Sequence, residues 1–370
     1  MKRLILILTS FAVTVSVSGC DEKDRPSSSP RVKNVILMVG DGMGLTQVST
    51  LMLAENYAPV NFERASVSGF VKTYSANNRV TDSAAGATAY STGQKTNNGH
   101  LGVNPAGEPL ETILEKAETK GLATGLVATT IIQHATPGAF YAHTPKRNDF
   151  EAISLDLLDA GIEVAIGGGM NYLRERADGR NLAAELEEQG YLMVDSLAAL
   201  DGVTDGQVMA LVDAGFDYIA NGRDPEYLPR ATIKALDILT ADTPRAAGGF
   251  FLMVEGSMID YTCHDNNAAA MIDEIREFDD AVGIAFDYAD SHPGTLVIVL
   301  ADHETGGLTL PSAEENFLLA ESGVEPRWST TGHTATMVPM FAYGAHAGLF
   351  GGVIDNTEVN QRLVELLGLK

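Results

Sequence analysis

From Lys33 to the C-terminus, continuous apolar runs alternate with amphipathic helical segments, and this alternation leaves few fold classes open. Residues 35–39 and 295–300 are the clearest runs, because they are apolar at consecutive rather than alternate positions. Such runs are typical of strands buried on both faces, as in a parallel sheet covered by helices. The sequence therefore predicts an α/β fold, a three-layer α/β/α sandwich with a mostly parallel central sheet.

The remaining elements follow the same alternation, and no internal repeat or low-complexity segment appears after Pro30. Strands are predicted at residues 35–39, 67–74, 124–128, 163–166, 250–254, 295–300 and 337–343. Helices are predicted in the stretch ending at residue 54 and at residues 83–92, 110–120, 150–160, 230–240, 266–290 and 357–367. Residues 181–189, 191–194, 208–212 and 218–220 continue the alternation. We therefore expect a single domain over residues 33–370.

The first residues have the composition of an export signal. Lys2 and Arg3 precede a mostly apolar run, residues 4–17, which is short for a membrane span. This run ends in Val17-Ser18-Gly19-Cys20, which resembles the lipobox of bacterial lipoproteins. We expect a lipoprotein signal peptide at residues 1–19 and a lipidated Cys20 with a flexible tether at residues 20–32. The protein would then be anchored by lipid in the cell envelope of a bacterium, in the periplasm or at the outer membrane. The alternative is an ordinary signal peptide with a chance cysteine.

The charge balance limits the classes of partner. The chain has 49 acidic and 25 basic residues and a formal net charge of −24. It has no excess of lysine and arginine to pair with phosphates, so nucleic-acid recognition is not expected. An anionic substrate would need strong local positive charge, which bound metal ions would supply.

Acidic and imidazole side chains, together with one threonine, lie near the ends of nearly all the convincing strands. They are Asp41, His134, Thr136, Glu255, Asp260, His264, Asp302, His303 and His333. Ligands of α/β sheets bind at the carboxyl ends of the strands, so these side chains are expected to lie together. Histidines mixed with carboxylates suit zinc, whereas the all-oxygen set Asp41, Thr136 and Glu255 suits magnesium. Cys263, beside His264, is interpreted as a small buried residue rather than a ligand.

A second stretch, Val-Thr-Asp-Ser-Ala-Ala-Gly-Ala-Thr over residues 80–88, predicts a tightly packed helix whose first turn carries Ser83. The free N–H groups of a helix start favour negative charge, with an effect of roughly half an elementary charge. A divalent ion in contact with the serine would outweigh that effect. Ser83 is thus a candidate nucleophile, with Asp82 beside it.

Six separated motifs in order resemble those of the alkaline phosphatase family. The stretch at residues 80–88 fits the active-site pattern of that family. The other matches are MVGDGMG at residues 38–44, HATP at 134–137 followed by AHT at 142–144 and Arg147, VEGSMID at 254–260, ADHETGG at 301–307 and GHT at 332–334. The resemblance implies the fold of that family and hydrolysis of small phosphate monoesters.

Residue by residue, the resemblance implies specific roles. Ser83 would be the nucleophile that forms a phosphoserine, Arg147 would bind two phosphoryl oxygens, and Asp82 would orient Arg147. The implied metal sets are Asp260, His264 and His333 for one zinc; Asp41, Asp302 and His303 for a second zinc; and Asp41, Thr136 and Glu255, with His134 beside them, for a third ion, normally magnesium. The family is commonly homodimeric, and we expect a homodimer here.

Two residues depart from patterns common in the family. His134 stands where many bacterial members have aspartate, so zinc or cobalt are alternatives to magnesium as the third ion. Tyr261 stands where some members have lysine, and its neutral hydroxyl is expected to weaken product binding and speed release.

Residues 310–329, which contain Trp328, are short where members often carry a surface lobe, so a reduced lobe is expected, with an ordinary loop as the alternative.

Three other functions remain open at this level. A phosphodiesterase of the same superfamily would need room for a second ester group and would lose the benefit of Arg147 binding two free oxygens. A sulfatase would be expected to show a Cys/Ser-x-Pro-x-Arg sequence, which does not surround Ser83. An inactive lipoprotein that binds phosphoesters would not need the full set of site residues that this chain retains.

Overall fold

The computed structural model describes residues 30–212, 215–241, 246–312 and 324–370. The predicted signal peptide and Cys20 lie outside these residues, as do residues 313–323 of the segment interpreted as a reduced lobe. Among the described residues, no helix is both long enough and apolar enough to cross a bilayer.

The described elements alternate along the chain as predicted. The strands are β1 Asn34–Gly40, β2 Val67–Lys72, β3 Ala123–Ile131, β4 Val164–Gly168, β5 Leu192–Val194, β6 Val208–Val212, β7 Phe250–Gly256, β8 Thr295–Leu300, β9 Glu304–Thr305, β10 His333–Thr334, β11 Val338–Gly344 and β12 Gly352–Asp355. The α-helices are α1 Leu45–Ala54, α2 Ser83–Thr92, α3 Ile113–Thr119, α4 Ala135–Gly138, α5 Phe150–Asp156, α6 Asn171–Arg174, α7 Leu182–Glu188, α8 Tyr227–Leu239, α9 Met258–His264, α10 Ala268–Ser291 and α11 Asn356–Leu367.

The central sheet has ten strands in the order β12-β2-β11-β8-β1-β7-β3-β4-β6-β5. Among these described strands only β11 runs antiparallel to its neighbours, β2 and β8. Strands β1, β3, β7 and β8 are buried at nearly every position, which explains their continuous apolar sequences. The short strands β9 and β10 form a separate antiparallel ribbon.

Helices cover the sheet in two groups. Helix α10 packs against α1 and α8, whereas α2 packs against α3, α4 and α11. Local sequence fixes several helix starts: Thr112 and Glu115 form a capping box at α3, and Asp355 and Glu358 form one at α11. The predicted α/β class with a mostly parallel sheet between helical layers is confirmed.

One predicted segment forms neither a strand nor an α-helix. Residues Ile219–Asn221 make a single 3-10 turn. The backbone N–H of Ile219 donates to the Glu274 carboxylate at 2.8 Å rather than to a neighbouring strand. An alternating sequence at 218–220 could not reveal this, because the acceptor lies 55 residues further along the chain.

Candidate active site

The carboxyl ends of four neighbouring strands, β8, β1, β7 and β3, bring the predicted side chains to one edge of the sheet. Asp41 directly follows β1, and Asp302 and His303 follow β8. Glu255 lies near the end of β7, and His134 precedes the first turn of α4 after β3. This is the edge where the strand-end rule places a ligand site.

Close approach of the chain at this edge requires glycine. Gly42 has a φ of +72°, which side-chain-bearing residues rarely adopt, and an added Cβ would lie 2.7 Å from Asp260 Oδ1. Gly86 in α2 allows a similar approach, since a Cβ there would lie 3.1 Å from the backbone oxygen of Asp302. The small residues of the 80–88 stretch thus let α2 pack directly on the strand end that carries Asp302 and His303.

Ser83 is the first residue of α2 and is 1% exposed. Its Oγ lies 3.2 Å from His303 Nε2. Asp82 is the N-cap, and its Oδ1 accepts the backbone N–H of Ala85 at 3.0 Å. Its other oxygen, Oδ2, lies 3.0 Å from Arg147 Nη1. One carboxylate therefore fixes both the helix that carries Ser83 and the guanidinium.

Histidines surround Asp260. Its Oδ2 lies 3.2 Å from His264 Nε2, and its Oδ1 lies 3.7 Å from His333 Nε2. The His333 ring stacks on that of His303 with centroids 3.6 Å apart. His333 Nδ1 contacts the carbonyl oxygen of Thr81 at 2.9 Å, which leaves Nε2 directed at the cluster. Asp260, His303 and His333 could hold one ion together, with His264 in contact with two of them.

Asp41, Asp302 and His303 form a second group that could hold an ion. His303 Nε2 lies 3.3 Å from Asp41 Oδ1 and 3.3 Å from Asp302 Oδ2. All three side chains are fully buried. Asp302 Oδ1 accepts the backbone N–H groups of Gly42 and of His303, which orients the carboxylate.

Asp41, His134 and Glu255 form a third group. Thr136, which the sequence placed in this set, is buried in α4. His134 Nε2 also lies 3.4 Å from Arg147 Nη2, so this group borders the guanidinium. All nine predicted metal-site side chains and Ser83 thus lie at one edge of the sheet, and Asp41 and His303 each belong to two groups.

Several buried atoms of the cluster lack hydrogen-bond partners among the described residues. They are both carboxylate oxygens of Asp41 and of Glu255, Oδ2 of Asp302, Nδ1 of His134 and Oγ1 of Thr136. Buried polar atoms are normally satisfied, and leaving one unsatisfied costs about 1–3 kcal/mol. Oxygen and imidazole donors left open in this way fit divalent cations.

The pKa values of the cluster also indicate that its carboxylates lack compensating positive charge. Burial raises the pKa of Glu255 to about 8 and that of Asp302 to about 7. Burial together with the neighbouring carboxylates Asp302 and Asp260 raises the pKa of Asp41 well above its usual range. Burial, reinforced by Arg147, lowers the pKa of His134 to about 3. The imidazole is therefore neutral and able to donate a lone pair.

Tyr261 lies on α9 and is 37% exposed. Its hydroxyl is 3.4 Å from His134 Nε2, and burial of the phenol raises its pKa to about 12. The side chain therefore presents a neutral hydroxyl at the rim of the site. Cys263, two residues further on, is a buried free thiol, in agreement with its interpretation as a small buried residue.

A supporting layer behind the cluster was not predicted. Gln47 Nε2 donates to Glu304 Oε1 at 3.0 Å and to the carbonyl oxygen of Thr305 at 2.8 Å. Thr305 Oγ1 donates to Asp260 Oδ1. Glu304 also accepts the Thr334 hydroxyl, beside His333. Glu304 follows the Asp302-His303 pair directly, and that position was the available signal, whereas nothing in the sequence marks Gln47.

The sequence matches known proteins over nearly its whole length. Residues 32–325 match the family described as alkaline phosphatase. Alkaline phosphatase 3 of Bacillus subtilis (strain 168) is 32% identical over 450 residues, which cover 98% of this chain and 96% of that protein.

Solved structures give the same family. The alkaline phosphatase from the Antarctic bacterium TAB5 superposes with a TM-score of 0.86 at 36% identity, covering 92% of this chain and 99% of that one. A variant of that enzyme with one histidine replaced by aspartate is described with magnesium bound in its M3 site. It superposes with a TM-score of 0.84 at 35% identity, covering 91% of this chain and 98% of that one.

Proposed function

The chain belongs to the alkaline phosphatase family, and we propose that it hydrolyses small phosphate monoesters in two steps through a phosphoserine on Ser83. It is thus a metal-dependent phosphoric monoester hydrolase. Uncatalysed hydrolysis of these esters is among the slowest of biological reactions, and enzymes accelerate it by up to about 10²¹-fold.

Three sets of side chains would hold the metal ions. We assign Asp260, His264 and His333 to one zinc, Asp41, Asp302 and His303 to a second zinc, and Asp41, Thr136 and Glu255, with His134 beside them, to the third ion. When bound, such ions activate a hydroxyl or water nucleophile and neutralise charge that develops on the attacking and departing oxygens.

Ser83 acts as the nucleophile in the first step. Its Oγ gives up its proton and attacks phosphorus, the bond from phosphorus to the ester oxygen breaks, and that oxygen takes up a proton and leaves as the alcohol. Water then attacks the phosphoserine and returns Ser83 with release of phosphate. The start of α2 assists, because its free N–H groups favour negative charge on the first residue of the helix.

Arg147 binds two oxygens of the phosphoryl group. A planar guanidinium can donate two parallel hydrogen bonds, which an ammonium group cannot do. Asp82 holds one edge of Arg147 at 3.0 Å and so directs the remaining N–H groups. A monoester offers these donors more free oxygens than a diester does, which favours monoesters.

The identity of the third ion depends on His134. A neutral imidazole favours zinc or cobalt over magnesium, whereas carboxylate and hydroxyl oxygens favour magnesium. We propose magnesium, with zinc or cobalt as the alternatives. The magnesium-bound histidine-to-aspartate variant of the TAB5 enzyme supports a test in which His134→Asp raises the magnesium content measured by elemental analysis.

The position of Ser83 Oγ is the observation that carries the proposal. It is buried at a helix start, 3.2 Å from His303 Nε2, and His303 belongs to two groups of metal-binding side chains. The test compares a chromogenic phosphate monoester, phosphate diester and sulfate ester on the zinc-loaded protein at alkaline pH. The monoester should turn over fastest. Equal or faster turnover of the diester would contradict the proposal, and no turnover of any ester would indicate a binding protein.

Location and assembly are proposed from the sequence. Acylation of Cys20 would anchor the protein in the cell envelope, in the periplasm or at the outer membrane, with residues 20–32 as the tether to a catalytic domain at residues 33–370. Mass spectrometry of the N-terminal peptide should find the lipid, and Cys20→Ser should abolish it.

We further propose a homodimer, for which light scattering should give twice the chain mass.

A further inference from the structure

A cavity of about 480 Å³ adjoins the candidate site beside α9. Most of its lining side chains are apolar or aromatic: Ile131, Phe150, Phe216, Tyr218, Met258 and Tyr261. Small-molecule sites usually enclose about 300–1,000 Å³ and have predominantly apolar and aromatic walls. The cavity therefore has the size and chemistry of a binding site for an organic group.

The cavity opens next to the phosphoryl-binding guanidinium. His134 lines it, and His134 Nε2 lies 3.4 Å from Tyr261 Oη and 3.4 Å from Arg147 Nη2. In-line displacement by Ser83 places the leaving group on the far side of phosphorus. Tyr261, which lines the cavity, directly follows Asp260 on α9. The alcohol part of an ester whose phosphoryl group binds Arg147 would therefore lie next to the cavity, with only His134 between the guanidinium and Tyr261.

One wall of the cavity, residues 215–218, is held against the end of α9 and against α10. Tyr218 Oη donates to Asp265 Oδ2 at 2.7 Å, and the Ile219 N–H donates to Glu274 at 2.8 Å. The Phe216 ring packs on Tyr227 with centroids 4.6 Å apart. A wall fixed in this way needs little ordering when a ligand binds, which favours affinity.

The charge of the cavity selects against anionic groups. Among its described lining residues there is no lysine or arginine, and Asp217 contributes a carboxylate. A leaving group with a second phosphate would find no lysine or arginine side chain among these lining residues. An uncharged flat ring would instead stack on the aromatic side chains.

We propose that this cavity binds the alcohol part of the substrate and selects monoesters whose alcohol carries a flat, uncharged aromatic ring, such as aryl alcohols or nucleosides, over esters of small aliphatic alcohols. This inference rests on the proposed function and adds a substrate class to it. Phe216 is the specificity-determining residue, because it lines the cavity and lies outside the metal cluster.

The test measures binding without turnover. Calorimetry on the metal-loaded full chain gives the dissociation constants of phenylphosphonate and methylphosphonate, whose phosphorus–carbon bonds are not hydrolysed by this reaction. We expect phenylphosphonate to bind about tenfold more tightly, the magnitude of one aromatic stacking contact. Phe216→Ala should remove most of that preference. Phe216→Leu keeps apolar bulk against Tyr227 and should also reduce the preference, which guards against a folding defect in the alanine variant.

Phe70→Ala is the matched control, because the Phe70 ring is 37% exposed on β2 and does not line the cavity. It should leave the preference unchanged. Equal binding of the two phosphonates, or a preference that survives both Phe216 variants, would overturn the inference. A protein that prefers phenylphosphonate yet hydrolyses no ester would support the cavity and contradict only the proposed hydrolysis.

Discussion

At the scale of single residues, the site depends on side chains that serve two partners at once. Asp82 caps α2 with one oxygen and holds Arg147 with the other. His303 lies within 3.3 Å of Asp41, Asp302 and Ser83. Shared side chains fix the relative positions of Ser83, Arg147 and the groups that could hold ions, so effects of substitution at these positions are not expected to be additive.

Ser83→Ala tests the nucleophile. Removal of Oγ should lower kcat by about 10³-fold or more, since the covalent step is lost while the binding groups remain. Zinc stoichiometry should stay near that of the wild type, because the proposed ligand sets are complete without Ser83. Phosphoenzyme trapped by acid quench and detected by mass spectrometry should disappear. Phosphoenzyme or wild-type activity in this variant would show that another residue attacks phosphorus.

A pair of substitutions at Asp82 separates its two roles. Asp82→Ala removes the cap and the partner of Arg147, so it should cost about 1 kcal/mol of stability and about 10–100-fold in kcat/KM. Asp82→Asn keeps a cap acceptor but loses the charge, so stability should change little while kcat/KM still falls. Urea unfolding and steady-state kinetics measure the two effects. Equal kcat/KM for both variants and the wild type would exclude the positioning role.

At the scale of elements, the order of strands explains what the sequence could predict. Continuous apolar runs identified the central strands, and the strand-end rule correctly placed Asp41, Asp302 and His303 at one edge. The sharing of His303 between two groups was not predictable, because it depends on how β8 sits beside β1 and on the ribbon that carries His333. The cavity wall at residues 215–218 was missed for the same reason, since the residues that hold it, Asp265 and Glu274, are distant in sequence.

The ion pairs of Arg223 with α10 predict a stability that depends on pH. Its guanidinium pairs with the buried carboxylates of Glu274 and Glu277 on α10. Burial raises the folded-state pKa of Glu277 from 4.5 to about 7. Between these values the folded chain binds more protons than the unfolded one, so ionisation of Glu277 lowers stability as the pH rises through this window. Arg223 offsets that loss where the carboxylates are charged.

Arg223→Met should therefore be more destabilising at pH 8 than at pH 5. At pH 8 it leaves two buried carboxylates without a partner, at a cost of about 3–5 kcal/mol. At pH 5 protonation removes most of that cost. Urea unfolding of the variant and the wild type measures the loss of stability at each pH. The matched control is Arg230→Ala, whose partner Asp224 is exposed, and it should change stability by less than about 1 kcal/mol at either pH. A larger loss of stability at pH 5 than at pH 8 would contradict a stabilising role for these ion pairs.

At the scale of the whole molecule, stability should depend on bound metal. The cluster places Asp41, Glu255, Asp260 and Asp302 in the interior, and burial raises the pKa of Glu255 to about 8 and of Asp302 to about 7. Without ions, ionisation of these two carboxylates lowers stability as the pH rises toward 8. An ion whose free concentration is about 1,000 times its dissociation constant adds about 4 kcal/mol to the free energy of unfolding.

Chelation should lower the thermal midpoint at every pH, and by more at pH 8.5 than at pH 6, because the uncompensated charge is greater at pH 8.5. Differential scanning calorimetry with and without chelator measures the difference, and restoring zinc should reverse it. A midpoint that does not respond to chelation, or a larger loss at pH 6, would show that the buried carboxylates are not balanced by ions.

The strand order also dictates when the site can be completed during biosynthesis. Strands β8, β1, β7 and β3 are neighbours in space, yet their ligand residues extend from Asp41 to His303, and His333 follows still later. A ribosome must therefore translate past residue 333 before every proposed ligand exists. Under the proposed function, the metal sites would be completed late in synthesis, and a nascent or truncated chain that ends before residue 333 would lack a proposed zinc ligand. An exported chain would acquire its ions only at its destination.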